Sequence, residues 1–402
     1  MTKLHRNLVD AVTDGFLQIC NDNLYADKVI ERLLKRDKRW GSKDRAFIAE
    51  TLYDMIRWKR LYTEIASVPV PYTTISARRI FAVWAVLRGY TLPEWYFEGT
   101  PERRIKGRFD ELSKIRKFRE SIPDWLDELG EKELGQERWT KEIHALNQLA
   151  PVVLRVNTLK ISRNDLQKEL IKENIETQVL KDYPDALQLV KRSNVFLSEA
   201  FKKGLFEVQD ASSQKVAPFL EVEKGMRVVD CCAGAGGKTL HLSALMQNKG
   251  QLIAMDIYEN KLFELKRRAK RNEAFNIETK VVDVKNIKRW QETFDRVLID
   301  APCSGLGVLR RNPDAKWKLK PEFIDEIRAT QQDILQKYSK LTKVGGKLVY
   351  ATCSILPSEN EKQIETFLSS PVGKFFQLKK EEKISATSGY DGFYMAQLER
   401  IQ

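Results

Sequence analysis

The chain has 402 residues, 42% hydrophobic and 31% charged, which is enough apolar material for two or three folded domains and too much for a disordered chain. Its net charge of +13, spread over the residues before and after position 150, favours a polyanionic partner such as a nucleic acid, although a basic soluble protein without such a partner is the alternative. No apolar run approaches the roughly 18–20 residues that cross a bilayer, no secretory signal is predicted, and the five scattered cysteines match neither a disulfide framework nor a zinc pattern. We therefore expect a cytoplasmic protein with no membrane and no metal.

The first 145 residues predict an α-helical domain. In RNLVDAVTDGFLQICNDN the apolar residues Leu8, Val12 and Phe16 recur at helical spacing, and KVIERLLKRDKRW continues the pattern. Residues 76–150 predict further helices and contain the basic stretch PERRIKGRFDELSKIRKFRE.

A small α+β unit is predicted over residues 151–215. VVLRVN is a short β-type run, and ISRNDLQKELIKEN predicts a helix capped by Ser162. TQVLKDYPDALQLV then predicts two strands around a Tyr-Pro-Asp turn.

Residues 216–402 alternate between strand and helix. The strands are predicted in MRVVDCC, QLIAMDI, ETKVVDV, DRVLIDAP and GKLVYATCS, with helices between most of them. This order predicts a doubly wound, Rossmann-like parallel sheet, so the fold class is α/β. Ligands of such sheets bind at the carboxyl ends of the strands.

A glycine-rich turn, VVDCCAGAGGKTLHL, follows the first strand of this domain. A P-loop would need glycine where Cys232 stands, and a dinucleotide-binding turn would need glycine where Thr239 stands, so both patterns fail. The remaining interpretation is a turn that binds S-adenosylmethionine, which has no diphosphate to cradle.

Acidic residues end the next two strands. Asp256 stands where a carboxylate can accept both ribose hydroxyls of a nucleotide cofactor, and Asp283 stands where it can lie beside an adenine amine. Aspartates at strand ends also cap helices and form turns, which is the alternative for each.

Two cysteines in polar turns follow the fourth and fifth strands. Cys303 lies in Pro-Cys-Ser-Gly and Cys353 in Thr-Cys-Ser, and the two strand ends can share one crevice. A thiolate beside a methyl donor suits methylation of a pyrimidine, because its addition at carbon 6 makes carbon 5 nucleophilic. Asp300, three residues before Cys303, is placed to bind the N3/N4 edge of a cytosine.

The combined motifs resemble the RNA cytosine-5 methyltransferases of the Sun/Fmu type, including bacterial 16S rRNA small-subunit methyltransferase members. The resemblance rests on DCCAGAGGKT, DAPCSGLG, NPDAKW, ATCSILPSENE and DGFYMAQLER, with LRVNTLK and VQDASSQ before them. More weakly, ADKVIERLLKRDKRWGSKDRAFIAETLYDMIRW resembles the NusB-like RNA-binding domain at the front of bacterial rRNA members.

The resemblance implies a role for each matching position. It makes Cys353 the nucleophile and Cys303 the residue that assists release of the methylated RNA, an order that sequence chemistry alone leaves open. It implies S-adenosylmethionine binding by Asp256, Asp283, Asp300 and the turn of Cys232, Ala233, Gly234, Ala235, Gly236, Gly237 and Lys238.

Further RNA contacts are predicted at cationic and stacking side chains. They are Arg155, Asn157, Arg310, Arg311, Lys316 and Trp317, with solvated surface charge as the alternative for each.

These observations predict a monomeric, cytoplasmic enzyme that forms 5-methylcytosine in RNA, with 16S rRNA as the expected substrate and tRNA as the alternative. A non-catalytic RNA-binding assembly factor is the competing class, but it would need neither cysteine. A methyltransferase acting on nitrogen is disfavoured, because the fourth strand ends in Asp-Ala-Pro-Cys without an aromatic clamp. No further RNA-binding module is expected after the catalytic domain.

Overall fold

The computed structural model describes residues 4–93, 97 and 100–402, which divide into two units. The first unit comprises the chain up to residue 148 together with 309–321, and the second comprises 149–308 and 322–402. The three-domain division expected from the sequence stays a prediction. It did not foresee that 309–321, which follows the loop of Cys303 along the chain, belongs to the helical unit.

The first unit is helical throughout its regular elements, in agreement with the periodicity of its sequence. The predicted helical stretch 76–150 includes residues 94–96, 98 and 99, which lie outside the described residues. The described helices are α1 (Arg6–Cys20), α2 (Ala26–Leu34), α3 (Ser42–Arg57), α4 (Lys59–Ala66), α5 (Thr74–Leu87), α6 (Glu102–Leu112), α7 (Arg116–Arg119), α8 (Asp124–Leu134) and α9 (Gln136–Leu146), with a short helical turn at Ala315–Lys318. The likeness of this unit to a NusB domain stays a prediction.

Helices α8 and α9 pack through a close approach of Gly130 to Trp139. The indole of Trp139 is fully buried, and a Cβ on Gly130 would lie 2.3 Å from it, so the contact requires glycine. The indole Nε1 donates to Asp127 Oδ1 at 2.7 Å, and the same oxygen accepts from Arg116 Nε at 2.8 Å. One carboxylate therefore satisfies the buried indole and connects α7 to this helical pair.

The second unit begins with a four-stranded antiparallel sheet in the order β2-β3-β1-β4. Its strands are β1 (Val153–Val156), β2 (Thr177–Val179), β3 (Ala186–Leu189) and β4 (Phe206–Val208), with α10 (Arg163–Lys172) after β1. The predicted strands, the helix and its cap are confirmed, since the Ser162 side chain accepts the Asp165 N–H. The sequence reading missed β4, which is only three residues long.

The larger sheet has seven strands in the order β10-β11-β9-β8-β5-β6-β7. Its strands are β5 (Arg227–Asp230), β6 (Gln251–Asp256), β7 (Ile277–Val281), β8 (Phe294–Asp300), β9 (Thr342–Thr352), β10 (Phe376–Ile384) and β11 (Phe393–Arg400). The five predicted strands are parallel and confirm the doubly wound class. Two strands that the sequence analysis did not predict, β11 and β10, extend this sheet in antiparallel orientation.

Helices cover the strands of this unit. They are α11 (Glu199–Lys202), α12 (Ala211–Gln214), α13 (Val216–Phe219), α14 (Gly237–Leu245), α15 (Glu259–Asn272), α16 (Val284–Arg289), α17 (Pro321–Tyr338) and α18 (Glu361–Ser369). Among the described residues, none of the helices combines the length and hydropathy that a membrane span needs.

A buried ionic cluster joins the two sheets of the second unit. Glu207 of β4 is 3% exposed, and its carboxylate accepts from Arg268 at 2.9 Å and also from Arg271 and Asn272. The opposite charges stabilise the ionised Glu207, whose pKa is lowered although burial alone would raise it. The small sheet is therefore fastened to helix α15, which follows the second strand of the larger sheet.

Because of His241 in α14, the free energy of unfolding is expected to depend on pH. Burial, followed by the charge of Arg155, lowers the pKa of His241 from 6.5 to about 4. The folded state therefore resists protonation, so the stability contribution is complete above pH 6.5 and is lost as pH falls towards 4. Between pH 7 and 4, the free energy of unfolding of the wild type should fall by about 3 kcal/mol more than that of His241→Gln.

Urea denaturation at each pH measures this difference. His144→Gln in the helical unit is the matched control, because its side chain is 64% exposed. Parallel curves for the wild type and His241→Gln would contradict the expectation.

Candidate active site

The turn between β5 and α14 leaves open space above its backbone. Gly236 has a φ of +88°, and a Cβ there would lie 2.6 Å from Leu265, so glycine is required for both conformation and packing. A Cβ placed on Gly234 or Gly237 would meet nothing within 4 Å. The sequence from Cys232 to Lys238 therefore forms a cradle that a ligand can approach closely.

Asp256 connects this turn to the loop after β6. Its Oδ2 accepts the Gly234 N–H at 2.8 Å, and its Oδ1 accepts the Tyr258 N–H at 2.9 Å. One carboxylate thus fixes two adjacent strand ends, as charge-assisted hydrogen bonds to backbone N–H groups can.

A cleft of about 840 Å³ lies at these strand ends. Its polar groups include the carboxylates of Asp256 and Asp300, and Cys232 and Pro302 also line it. The apolar part of its wall comprises Ile257, Val282, Val284, Ile287, Ile334 and the ring of Tyr338. Apolar walls with a few placed polar groups are typical of a nucleoside-binding pocket.

Lys238 and Asp300 form a half-buried ion pair beside the cleft. The Lys238 Nζ lies 2.6 Å from Asp300 Oδ2 and 5.2 Å from the centroid of the Phe393 ring. Burial opposes the charge on Lys238, but Asp300 and then Cys353 outweigh it and raise its pKa. Lys238 therefore stays protonated beside Asp300.

The β5 strand ends in a buried acid. Burial raises the pKa of Asp230 to about 7, while its Oδ2 accepts from Thr239 Oγ1 at 2.7 Å. This bond connects the end of β5 to the first turn of α14.

In the part of the chain that the structure describes, no three His, Cys, Asp or Glu side chains come together to hold a metal ion.

The two predicted cysteines meet, although 50 positions separate them. Both thiols are free, and their Sγ atoms lie 3.3 Å apart. The hydrogen bond to Cys353, then burial, raises the pKa of Cys303 well above its ordinary value. Either sulfur can be the donor in this hydrogen bond.

Close backbone packing holds the two cysteine loops together. The Gly307 N–H donates to the Cys353 carbonyl at 2.9 Å, and Gly307 accepts from Gly392 N–H at 2.8 Å. A Cβ on Gly307 would lie 2.1 Å from the Gly392 oxygen, so no other residue fits there without movement.

Asp283 lies beside the cleft without lining it. Its exposed carboxylate accepts the Lys285 N–H at 3.0 Å, while its neighbours Val282 and Val284 line the cleft. The structure thus gives Asp283 a local role at the start of α16, and its contact with a cofactor stays a prediction.

Arg155 and Asn157 were predicted to contact RNA, which stays a prediction, and the structure buries both side chains. Arg155 is 3% exposed and donates to the Gly237 carbonyl and Gln209. Asn157 is 5% exposed and donates to the carbonyls of Gly204 and Asn272 at 2.8 and 2.9 Å. Both side chains hold the small sheet against the larger one.

The side chains of 309–321 that were predicted to contact RNA also bond within the protein, in the helical unit. Lys316 is 1% exposed and donates to Asn147 Oδ1 at 3.1 Å and to the Glu120 carbonyl at 3.3 Å. Burial lowers its pKa well below the ordinary value. Trp317 Nε1 donates to the Ile56 carbonyl at 2.7 Å. Lys316 and Trp317 thus make contacts within the helical unit, and their contact with RNA stays a prediction.

The two arginines of the same segment differ in exposure. Arg310 is 6% exposed, and its carbonyl accepts from Arg57 at 2.8 Å, so its side chain offers little surface to RNA. Arg311 is half-buried, and its contact with RNA stays a prediction.

Sequence reasoning missed Glu359, whose carboxylate lies between the cysteine loops. The available signal was an acid placed six residues after Cys353 in an otherwise turn-forming stretch, Leu-Pro-Ser-Glu-Asn. An acid in such a stretch is expected on the surface, whereas the fold buries Glu359 fully.

Comparisons with known proteins agree with this geometry. Residues 217–399 match the family described as 16S rRNA methyltransferase RsmB/F, and residues 122–196 match the ferredoxin-like domain described for RsmF/B-like methyltransferases. The ribosomal RNA small subunit methyltransferase B of Vibrio vulnificus (strain YJ016) is 34% identical over 285 residues, which cover 69% of this chain and 66% of that protein. This chain spans less than two thirds of the length of the curated relatives that it matches.

Solved structures share the fold. The crystal structure of PH0851 has a TM-score of 0.83 at 25% identity and covers 99% of this chain and 100% of that one. A methyltransferase homologue from Pyrococcus horikoshii has a TM-score of 0.63 at 27% identity and covers 71% of this chain and 97% of that one.

Proposed function

Because this chain belongs to the RsmB/F, Sun/Fmu-type family of RNA methyltransferases, we propose that it methylates carbon 5 of a cytosine in RNA with S-adenosylmethionine as donor. The observation that carries this proposal is the pair of free thiols, 3.3 Å apart, beside a cleft lined by carboxylates. Neither a binding protein nor a nitrogen methyltransferase needs two apposed thiols at that position.

The cleft fits S-adenosylmethionine. Its volume of about 840 Å³, the open backbone of the glycine turn and the strand-end carboxylate of Asp256 suit a nucleoside with a ribose diol. The turn from Cys232 to Lys238, Asp256 and Asp300 would hold the cofactor. When bound, it supplies an electrophilic methyl group.

Cys353 begins the reaction by adding its thiolate to carbon 6 of the cytosine. The addition moves electron density to carbon 5, which becomes an enamine-like nucleophile. The Lys238 ammonium interacts electrostatically with Cys353, and this interaction helps to raise the pKa of Lys238.

Asp300 orients the base. Its Oδ2 is held by Lys238 at 2.6 Å, and the other oxygen of the same carboxylate can accept the N4 amino group of the cytosine. This contact would hold the ring while the thiolate adds, and it favours cytosine over uracil, which has no amino group at that position.

Cys303 assists the last step. Loss of the carbon-5 proton returns its electron pair to the ring, the carbon–sulfur bond to Cys353 breaks, and aromaticity is restored. The thiol of Cys303, at 3.3 Å, hydrogen-bonds to the sulfur that leaves and so stabilises it as a thiolate.

The proposed substrate is ribosomal RNA of the small subunit, as the relatives' names indicate for those proteins, and this substrate places the enzyme in the cytoplasm. Action as a monomer stays a prediction.

Bisulfite sequencing of total RNA from cells with and without the chain tests the proposal. The expected result is one lost 5-methylcytosine in 16S rRNA. A loss confined to tRNA would identify tRNA as the substrate instead. An unchanged pattern of 5-methylcytosine in all RNA would contradict the proposal.

Asp256→Ala is expected to weaken S-adenosylmethionine binding about tenfold or more, because charge-assisted hydrogen bonds contribute roughly 1.5–3 kcal/mol each. Calorimetry measures the cofactor affinity, and RNA binding without cofactor should barely change. Asp283→Ala is the informative companion variant, since its carboxylate does not line the cleft. An unchanged affinity in Asp256→Ala would place the ribose-binding acid elsewhere.

A further inference from the structure

The carboxylate of Glu359 is the buried polar group between the loops of Cys303 and Cys353. Glu359 ends a short 3-10 turn, Pro357–Glu359, after β9, and its relative exposure is 0%. A buried carboxylate is costly unless hydrogen bonds satisfy its oxygens. Its donors therefore show what it is built to hold.

Both oxygens of Glu359 accept hydrogen bonds from the residues that follow the two cysteines. The Oε2 atom accepts the Ser304 N–H at 2.7 Å and Gln331 Nε2 at 3.2 Å. The Oε1 atom accepts Ser354 Oγ at 2.6 Å and also Ser304 Oγ. One carboxylate thus spans two loops that are 50 residues apart in the chain.

The two serines carry this bracing into the turns of the cysteine loops. Ser304 Oγ accepts the Leu306 N–H at 3.3 Å, and Ser354 Oγ accepts the Leu356 N–H at 3.2 Å. Each hydroxyl therefore joins its own turn to Glu359. Gln331 adds a third brace, because its Nε2 also donates to the Pro302 carbonyl at 2.9 Å, directly before Cys303.

We propose that Glu359 is a positioning residue that holds the sulfur atoms of Cys303 and Cys353 at the distance that cytosine methylation needs. The assignment rests on the proposed function. Glu359 acts through Ser304 and Ser354 and touches neither sulfur in the network described. Its removal would leave at least one backbone N–H and one amide donor without an acceptor, so both loops would relax.

Glutamine at position 359 separates geometry from charge. Its amide oxygen can accept from Ser304 N–H and Gln331, and its amide nitrogen can donate to the two serine hydroxyls, which also accept hydrogen bonds. Glu359→Gln therefore preserves the brace without the charge, whereas Glu359→Ala removes both.

The experiment compares the full-length wild type, Glu359→Gln and Glu359→Ala by two measurements. Diamide, which takes up the two thiol hydrogens as a disulfide forms, reports the proximity of Cys303 and Cys353 through mass spectrometry of the linked peptides. Methyl incorporation into RNA reports activity. Glu361→Ala is the matched control, since Glu361 pairs with Lys383 at 2.9 Å outside the cysteine loops.

Glu359→Ala should cross-link about tenfold more slowly or worse and methylate RNA about 10²-fold more slowly, because small displacements of reacting groups are that costly. Glu359→Gln should lose less than about tenfold in either measurement. The proposal would be overturned if Glu359→Ala cross-linked at the wild-type rate. It would also be overturned if Glu359→Ala and Glu359→Gln lost cross-linking rate and activity equally.

Two further results keep the test decisive. If Glu359→Ala does not fold by thermal denaturation, the double variant Ser304→Ala/Ser354→Ala cuts the side-chain braces while the carboxylate stays. Slower cross-linking in that variant supports the proposal, and wild-type cross-linking overturns it. If the wild type methylates no RNA, the proposed function fails, whereas cross-linking still decides whether Glu359 holds the sulfurs.

Discussion

Replacing Cys353 with alanine is expected to abolish methyl transfer, by at least about 10³-fold, while S-adenosylmethionine still binds. The thiolate is required to activate carbon 5, but the Cys353 side chain does not line the cleft that fits the cofactor. Incorporation of labelled methyl groups into 16S rRNA and calorimetric titration of the cofactor measure the two properties in the same preparation.

Cys20→Ala is the matched control for this variant. Cys20 lies at the end of α1 in the helical unit, where burial raises the pKa of its thiol to about 12, so it should be unreactive. Its loss should leave methylation unchanged. Substantial turnover by Cys353→Ala would remove this residue from the role of nucleophile.

Cys303→Ala is expected to accumulate a covalent complex between protein and RNA. Cys353 can still add to the base and the methyl group can still be transferred, but the leaving sulfur lacks the hydrogen bond that Cys303 provides at 3.3 Å. The complex should appear as a slow band on denaturing gels, and mass spectrometry should locate the RNA on Cys353.

The double variant Cys303→Ala/Cys353→Ala is the control, because it has no thiol in the site that can form the bond. An adduct in Cys353→Ala together with none in Cys303→Ala would reverse the two roles. Absence of an adduct in both single variants would leave the release role without support.

Local sequence determined much of this fold. Apolar periodicity identified the helical unit, and alternating strands and helices identified the α/β unit with its five parallel strands. Because parallel strands present their carboxyl ends at one edge, the sequence could also place Cys303 and Cys353 together. The antiparallel strands β10 and β11 and the short β4 were not predicted, since strand pairing and burial depend on distant partners.

The hydrogen-bond partners of charged side chains were not readable from local sequence. Arg155 lies in the strand VVLRVN and Lys316 in a basic loop, and both were predicted to bind RNA, yet both are buried and bonded within the protein. The carbonyl that holds Lys316 belongs to Glu120, 196 positions earlier. The local sequence around a Lys or Arg is the same whether its side chain faces solvent or a buried acceptor. The burial of the side chain in the fold is therefore needed to tell an RNA contact from a structural hydrogen bond.

Periodicity and short motifs predicted the type of fold, the glycine-rich turn and the pair of cysteines after the fourth and fifth strands. The assignment of 309–321 to the helical unit and the hydrogen bonds of Glu359 to both cysteine loops became visible only in the folded chain. The physical reason is that a buried carboxylate is satisfied by donors from several segments. Ser304 lies 55 positions from Glu359, and no local pattern records that meeting.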